Sequence, residues 1–210
     1  MYVGRIVAVG RNRAGANAGL YRVSSRSFPN RKAVELSGRL AILPREGHEG
    51  DLQKSPYIAY NCLRVARDFC VVTNGSHTDP IAEKIESGVS PRDALVQTLL
   101  VLDYEHDDYS TPRIAGVVPL ESDTGWLGIV RPDALVVKAV PLEAGRAAWI
   151  ATYEADDIRD DQRAEFDAAN AEDAARAVVD GPGFVALEKP VTSAAGLAQS
   201  GHFELATHVV

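Results

Sequence analysis

The chain reads as an α+β protein: largely antiparallel strands in two sheets packed face to face, with helices outside. Three observations predict this. Roughly ten short runs are rich in β-branched, aromatic or alternating apolar residues and are bounded by turn residues. Two or three segments with helical spacing and cap signals interrupt those runs in blocks, the α+β pattern. Finally, 46% of the 210 residues are hydrophobic, enough for one substantial core, and neither a repeat nor a long linker divides the sequence. Residues 1–210 are therefore expected to form a single domain.

The strands are expected at 2–9, 20–27, 34–43, 58–65 and 69–73, with Arg67-Asp68 turning between the last two. Asp79-Pro80 starts a short helix ending near Gly88. Ser90 is a good N-cap for a second, with Pro91 at the first helical position and Asp93 placed as a capping-box acid. Leu95, Leu99 and Leu102 form its apolar stripe. Strand patterns resume at 113–118, 126–130, 135–140 and 147–153, and the segments 131–134 and 142–145 read as hairpin connections. Asn170 can cap a helix running to Val179, stopped by Gly181-Pro182-Gly183. Short strands at 184–187 and 203–208 finish the chain.

Composition excludes several classes. No apolar run approaches the roughly 20 residues of a membrane span, and Met1-Tyr2-Val3-Gly4-Arg5 does not resemble a signal peptide. A cytoplasmic protein is the expectation. Cys62 and Cys70 read as free buried thiols, and no His/Cys spacing resembles a metal site. The net charge of -7 hides an asymmetry: residues 1–45 hold nine basic side chains against one acid, the remainder 13 against 28. Nucleic acid would be met by a wider basic surface. A compact basic patch in an acidic protein suits a small anion.

That patch is concentrated in residues 21–31, YRVSSRSFPNR. In a strand Arg22, Ser24 and Arg26 point to one face, and two guanidiniums flanking a hydroxyl suit a phosphate. An exposed strand with solvated arginines is the bland alternative. Three further polar clusters lie at element ends, where sites commonly sit. Tyr60 and Asn61 offer a phenol and a carboxamide able to read an amide or purine edge, or simply mark a half-buried strand. In 73–79, Gly75 permits positive φ and the backbone amides could form an anion nest, although Asn-Gly is also a common hairpin turn. His77 invites a general-base role, but a lone turn histidine is more often a surface or capping residue. Asp103 and Glu105 end an apolar helix where the macrodipole disfavours anions, and Arg113 could neutralise one of them or meet a ligand.

At these clusters the sequence closely resembles the archaeal-type, monofunctional IMP cyclohydrolase family. The resemblance is carried by Met1-Tyr2-x-Gly4-Arg5, by the whole 21–31 block, and by Glu46-Gly47-His48-Glu49. It continues through 56–62, Asn74 to Asp79, Asp103-Tyr104-Glu105 and 111–115. It implies the last step of purine nucleotide synthesis, closure of 5-formamidoimidazole-4-carboxamide ribonucleotide to inosine monophosphate with loss of water. It also implies a four-layer αββα sandwich like that of the N-terminal-nucleophile hydrolases. Classical members of that fold expose a processed N-terminal Cys, Ser or Thr. The bulky Tyr2 after Met1 makes such processing unexpected here, and covalent acyl transfer with it.

Ring closure requires no nucleophile. The substrate's carboxamide nitrogen attacks its own formyl carbon, so orientation, oxyanion stabilisation and proton movement suffice, with no metal or cofactor. Arg22, Ser24 and Arg26, supported by Asn30, are assigned to phosphate and ribose. Arg31 and Tyr60 would polarise the formyl oxygen, Tyr60 also donating a proton. Glu105 would take the proton from the carboxamide nitrogen, Asn61 and Asn74 would read the carboxamide, and Gly75 and Arg113 complete the expected site. The expected partner is a small purine nucleotide, and whether a homo-oligomer completes the pocket stays open. Two other readings compete: an amide hydrolase using Cys62 or a processed N-terminus, and a purine-nucleotide sensor without turnover.

Overall fold

Ile6 and Ala8 point to one side of the first strand, Val7 and Val9 to the other, and all four are buried. That alternation organises the molecule, because a strand buried on both faces needs an apolar layer on each. The computed structural model describes residues 1–210 and contains thirteen strands in two antiparallel sheets with four helices.

The first sheet has six strands: β1 (Arg5–Arg11), β2 (Asn17–Ser24), β10 (Arg146–Ala151), β11 (Arg163–Glu165), β12 (Pro190–Gln199) and β13 (His202–Val209). Their order across the sheet is β11-β10-β1-β2-β12-β13. The second has seven: β3 (Arg31–Leu36), β4 (Arg39–Pro44), β5 (Tyr60–Ala66), β6 (Phe69–Thr73), β7 (Arg113–Pro119), β8 (Thr124–Arg131) and β9 (Ala134–Pro141), in that order across the sheet. A short helix α1 (Asp51–Lys54) and a single 3₁₀ turn (Pro56–Ile58) join β4 to β5.

The two sheets face each other across a shared core in which Val7, Val9 and Val23 meet Leu40, Leu63, Val72, Ile114 and Ile129. Close approach is enforced by small residues. A side-chain carbon on Gly19 would stand 2.6 Å from Val72 Cγ2 and 2.9 Å from Cys70 Sγ. Helix α4 (Ala171–Asp180) covers the outer face of the first sheet, its alanines and Val178 packing on Ile6, Ala8 and Leu20. Helices α2 (Thr78–Glu86) and α3 (Pro91–Leu102) cover the second sheet through Ile81, Ile85 and Leu95 against Val71, Ala115 and Val117. Burying such a Leu or Ile contributes about 2–3 kcal/mol, so each layer is held by several such contacts.

The cap signals act as their chemistry requires. Ser90 Oγ accepts from the Asp93 amide at 3.2 Å, and Asn170 Oδ1 accepts from the Asp173 amide at 2.8 Å. No helix is long and apolar enough to cross a membrane.

Four sequence-based elements are corrected. The run 34–43 is two strands, turned at Ser37 and Gly38, both with positive φ. The segment 142–145 is not a hairpin, since β9 and β10 lie in different sheets. Residues 184–187 form turns whose Phe184 and Leu187 plug the α4 layer. The second strand ends at Ser24 rather than Ser27, which matters below.

Candidate active site

The break at Ser24 releases the chain into a loop, and that loop walls a cavity of about 350 Å³. Arg26, Ser27, Phe28 and Arg31 line one side, Tyr57 and Ile58 another, and Asp107 and Tyr109 a third. Tyr2, Arg5, Ser25, Ser55 and Tyr153 complete it. The cavity is thus aromatic in its walls and carries three arginines against the single acid Asp107, a surface suited to a flat anionic ligand.

At the rim, Arg26 stacks over the Tyr2 ring at 4.1 Å and pairs with Glu188 at 3.0 Å. At the inner end sits Arg5, whose guanidinium faces both the cavity and the carboxylate behind it. Its Nη2 lies 3.3 Å from Glu105 Oε2, while Arg113 Nη1 lies 3.5 Å from Glu105 Oε1. The Glu105 side chain is fully buried, and its backbone amide is tied to the Thr111 carbonyl at 2.8 Å.

These contacts are long for ion pairs, and the cluster is under-satisfied. Arg5 Nε, Glu105 Oε1, Arg113 Nε and Nη1, and His77 Nδ1 are all buried without a hydrogen-bond partner. Native interiors rarely leave such atoms unpaired, and their concentration behind Arg5 sets this cluster apart from the rest of the core. Gly75 keeps the space between them open. A side-chain carbon there would stand 3.0 Å from Arg113 Nη1, 3.1 Å from Glu105 Oε1 and 3.3 Å from His77 Nδ1.

Electrostatics follow from this crowding. Burial pushes the Glu105 carboxyl up to about 7 against the pull of Arg5 and Arg113, and Asp107 adds to the rise. Burial opposes the charge of Arg5, but Tyr60, Glu105, Tyr21 and Tyr153 around it more than offset that and hold it above its ordinary value. Burial lowers Arg31. Burial and the Arg113 charge push His77 down to about 3. The imidazole is therefore neutral, and with Nε2 3.0 Å from the Ile114 carbonyl, the proton sits on Nε2.

The family model for IMP cyclohydrolase-like proteins matches residues 2–202. The chain belongs to that family. Among its relatives, an IMP cyclohydrolase of Methanococcus maripaludis is 47% identical over 208 residues, covering 99% of this chain and 100% of the relative. Those of Methanosphaera stadtmanae and Halobacterium salinarum are 45% and 46% identical over 93% and 96% of this chain, and 93% of each relative.

Within this family member, the residues singled out from sequence do not all meet. Arg26 and Arg31 line the cavity. Tyr60, Glu105, Gly75 and Arg113 stand just behind its inner end: Tyr60 and Glu105 both feel the Arg5 and Arg31 charges, and Gly75 abuts Glu105 and Arg113. Arg22 and Ser24 do not reach the cavity. Arg22 is fully buried on the opposite face of β2, donating to the Val178, Val179, Phe184 and Leu187 carbonyls at 2.7–3.4 Å, with its Nε on Ser24 Oγ at 3.0 Å. It caps the C-terminal end of α4, where a cation also meets the favourable end of the helix dipole. Burial lowers it to about 10.

Three asparagines are also used elsewhere. Asn61 points to the α2 side and donates to Asp79 at 2.8 Å. Asn74 bridges the Pro112 carbonyl and the Ile114 amide at 2.9 and 2.8 Å, fixing the loop that carries Gly75. Asn30 is absent from the cavity wall, its carbonyl accepting from the Arg45 amide at 2.9 Å. In the 73–79 loop the Gly75 and Thr78 amides are satisfied internally, and Gly75 does not use the positive φ open to it. His77 is neither a surface residue nor a side-chain cap. Cys62 and Cys70 are free thiols in the intersheet core, pushed above their ordinary values by burial.

Arg5 and the aromatic wall were missed by sequence reasoning. The available signal for Arg5 was a single charge in the otherwise apolar run 2–9, a pattern that a buried strand tolerates only when the charge is partnered.

Proposed function

We propose that this protein is an IMP cyclohydrolase of purine biosynthesis, closing 5-formamidoimidazole-4-carboxamide ribonucleotide to inosine monophosphate and releasing water. One observation carries the reading: a cavity of nucleotide-base size ends on Arg5 and Arg31, with a carboxyl poised near 7 immediately behind. The full-length relatives bearing that name agree with it. Residues 1–210 would act as one domain, a four-layer αββα sandwich of the N-terminal-nucleophile-hydrolase type, in the cytoplasm. The amide-hydrolase reading loses its thiol, because Cys62 is enclosed between the sheets with its proton firmly held.

In this scheme the phosphate is gripped at the rim by Arg26 and Ser27, and the base enters between Tyr2, Phe28, Tyr57 and Tyr153. Arg5 and Arg31 face the formyl oxygen and stabilise the charge that develops as the carboxamide nitrogen adds to the formyl carbon. Substrate binding draws Arg5 off Glu105, freeing the carboxylate to take the carboxamide proton, while Tyr60 gives one to the oxygen. In the dehydration, the hydroxyl leaves with the proton held by Glu105, and the ring N–H proton restores Tyr60. Both groups end as they began. A carboxyl near 7 suits this exchange, since it takes and returns a proton at neutral pH with little penalty. Arg113 holds the far carboxylate oxygen during the cycle.

The test is direct. Purified protein, freed of metal, is mixed with the formylated carboxamide ribonucleotide, and the ultraviolet spectrum is followed. Conversion to inosinate supports the assignment; tight inosinate binding without turnover would favour a sensor instead.

A further inference from the structure

We propose that Tyr21 is a positioning residue, whose hydroxyl donates to Tyr60 and so sets the Tyr60 proton for transfer. The proposal rests on the reading of Tyr60 as proton donor and adds a residue that the cavity does not touch.

Tyr21 lies on β2 with its side chain in the intersheet core and no exposed surface. Its Oη stands 2.6 Å from Tyr60 Oη, the rings meeting edge to face with centroids 6.4 Å apart. Neither hydroxyl has another protein partner within hydrogen-bond distance. A pair of hydroxyls has two arrangements, and in each only one group donates to the other. The surroundings choose between them.

Around Tyr60 the titratable groups are Arg5 from β1, Tyr21 from β2, Arg31 from β3 and Cys62 on its own strand. Both arginine charges favour negative charge on the Tyr60 oxygen. Tyr21 is helped by Arg5 alone and is held well above an ordinary phenol, chiefly by burial. Negative charge is therefore better held on the Tyr60 oxygen than on Tyr21. As the Tyr60 proton passes to the substrate, Tyr21 keeps its own and donates it in a hydrogen bond across the 2.6 Å contact to the Tyr60 oxygen.

That arrangement has a catalytic consequence. With Tyr21 donating, the Tyr60 hydrogen is not spent on the pair and is free to face the substrate. When the Tyr60 O–H bond breaks and its proton passes to the formyl oxygen, the phenolate retains the Tyr21 hydrogen bond, now charge-assisted and shorter. The Tyr21 proton itself never transfers. In the reverse arrangement Tyr60 would donate into the core and be unavailable to the reaction.

The experiment is a double-mutant cycle on the full chain, with Tyr21→Phe, Tyr60→Phe and both together, following turnover of the formylated ribonucleotide against pH. Y21F should lower kcat about tenfold with KM within twofold, and move the alkaline limb of kcat upward in pH as the Tyr60 proton becomes harder to remove. In the Y60F background the same change should cost nothing further, because Tyr21 acts only through Tyr60. Placing 3-fluorotyrosine at position 21, which keeps the hydroxyl, should restore turnover and covers the case in which Y21F does not fold. An impaired Y60F beside a Y21F enzyme of wild-type rate and pH profile would overturn the role of Tyr21 alone. An undiminished Y21F loss in the Y60F background would also overturn it. Wild-type turnover by Y60F would overturn the donor assignment and this inference with it.

Discussion

Arg22 and Arg26 are four residues apart and of the same parity, yet they serve opposite purposes. Arg22 is sealed beneath α4 with four carbonyl acceptors, whereas Arg26 stands exposed at the cavity rim on the face of Tyr2. Strand alternation predicts a shared face only while the strand lasts, and β2 ends at Ser24. Beyond it the loop turns the remaining arginines back toward the space at the sheet ends. One arginine holds the scaffold; the others line the cavity.

The sharpest way to test that division is at the site's inner end. Glu105→Gln should reduce kcat about 10³-fold, within the range for a lost proton-transfer group, with KM little changed. Steady-state kinetics at neutral pH would show it, and near-normal turnover would remove Glu105 from the chemistry.

At the scaffold end, Arg22→Met should do the reverse. Removing the guanidinium orphans several buried carbonyls, and a loss of about 3 kcal/mol in urea unfolding is expected, with kcat of the folded protein within threefold of wild type. A large rise in KM without loss of stability would instead return Arg22 to the phosphate site.

The pH dependence of stability gives a third contrast. Glu105 titrates from its ordinary 4.5 in the unfolded chain but near 7 when folded, so the native state binds more protons between those values. Stability contributed by this group therefore falls as pH rises from 4.5 to 7, by about 3 kcal/mol at most. Glu105→Gln should abolish that slope, measured as the difference between urea midpoints at pH 5 and pH 8. Activity should move the other way, with kcat/KM rising through about pH 7 as the carboxylate forms. His77, neutral down to about 3, contributes nothing to that limb.

The smallest effect is expected at the rim. Arg26→Gln should raise KM about tenfold, roughly 1.4 kcal/mol of phosphate contact. Unfolding free energy should change by less than about 0.5 kcal/mol, because an exposed pair such as Arg26 with Glu188 contributes little.

What could be read from sequence divides along similar lines. Helices α3 and α4 were legible because Ser90 and Asn170 are capping residues placed before apolar stripes, a purely local signal. Strand β12 was not, since Thr-Ser-Ala-Ala-Gly lacks strand character and is extended only because small residues are needed under α4 and opposite Cys70. In the site, Arg31, Tyr60, Glu105 and Arg113 were each noticeable as polar residues at element ends and Gly75 as a turn glycine, and the fold gathers them around Arg5. Arg22, Ser24 and Asn61 carried the same local signal but face the helices instead. For Arg22 the deciding contacts lie 156 to 165 residues away, and no short motif encodes them.

The division between the two arginines, and the proposed function with it, can be tested in one crystal of the protein with inosine monophosphate. The account predicts the phosphoryl group against Arg26 and Ser27, with the purine ring running inward to Arg5 and Arg31. A phosphoryl group bound at Arg22 beneath α4, or a nucleotide lying outside the cavity, would contradict it.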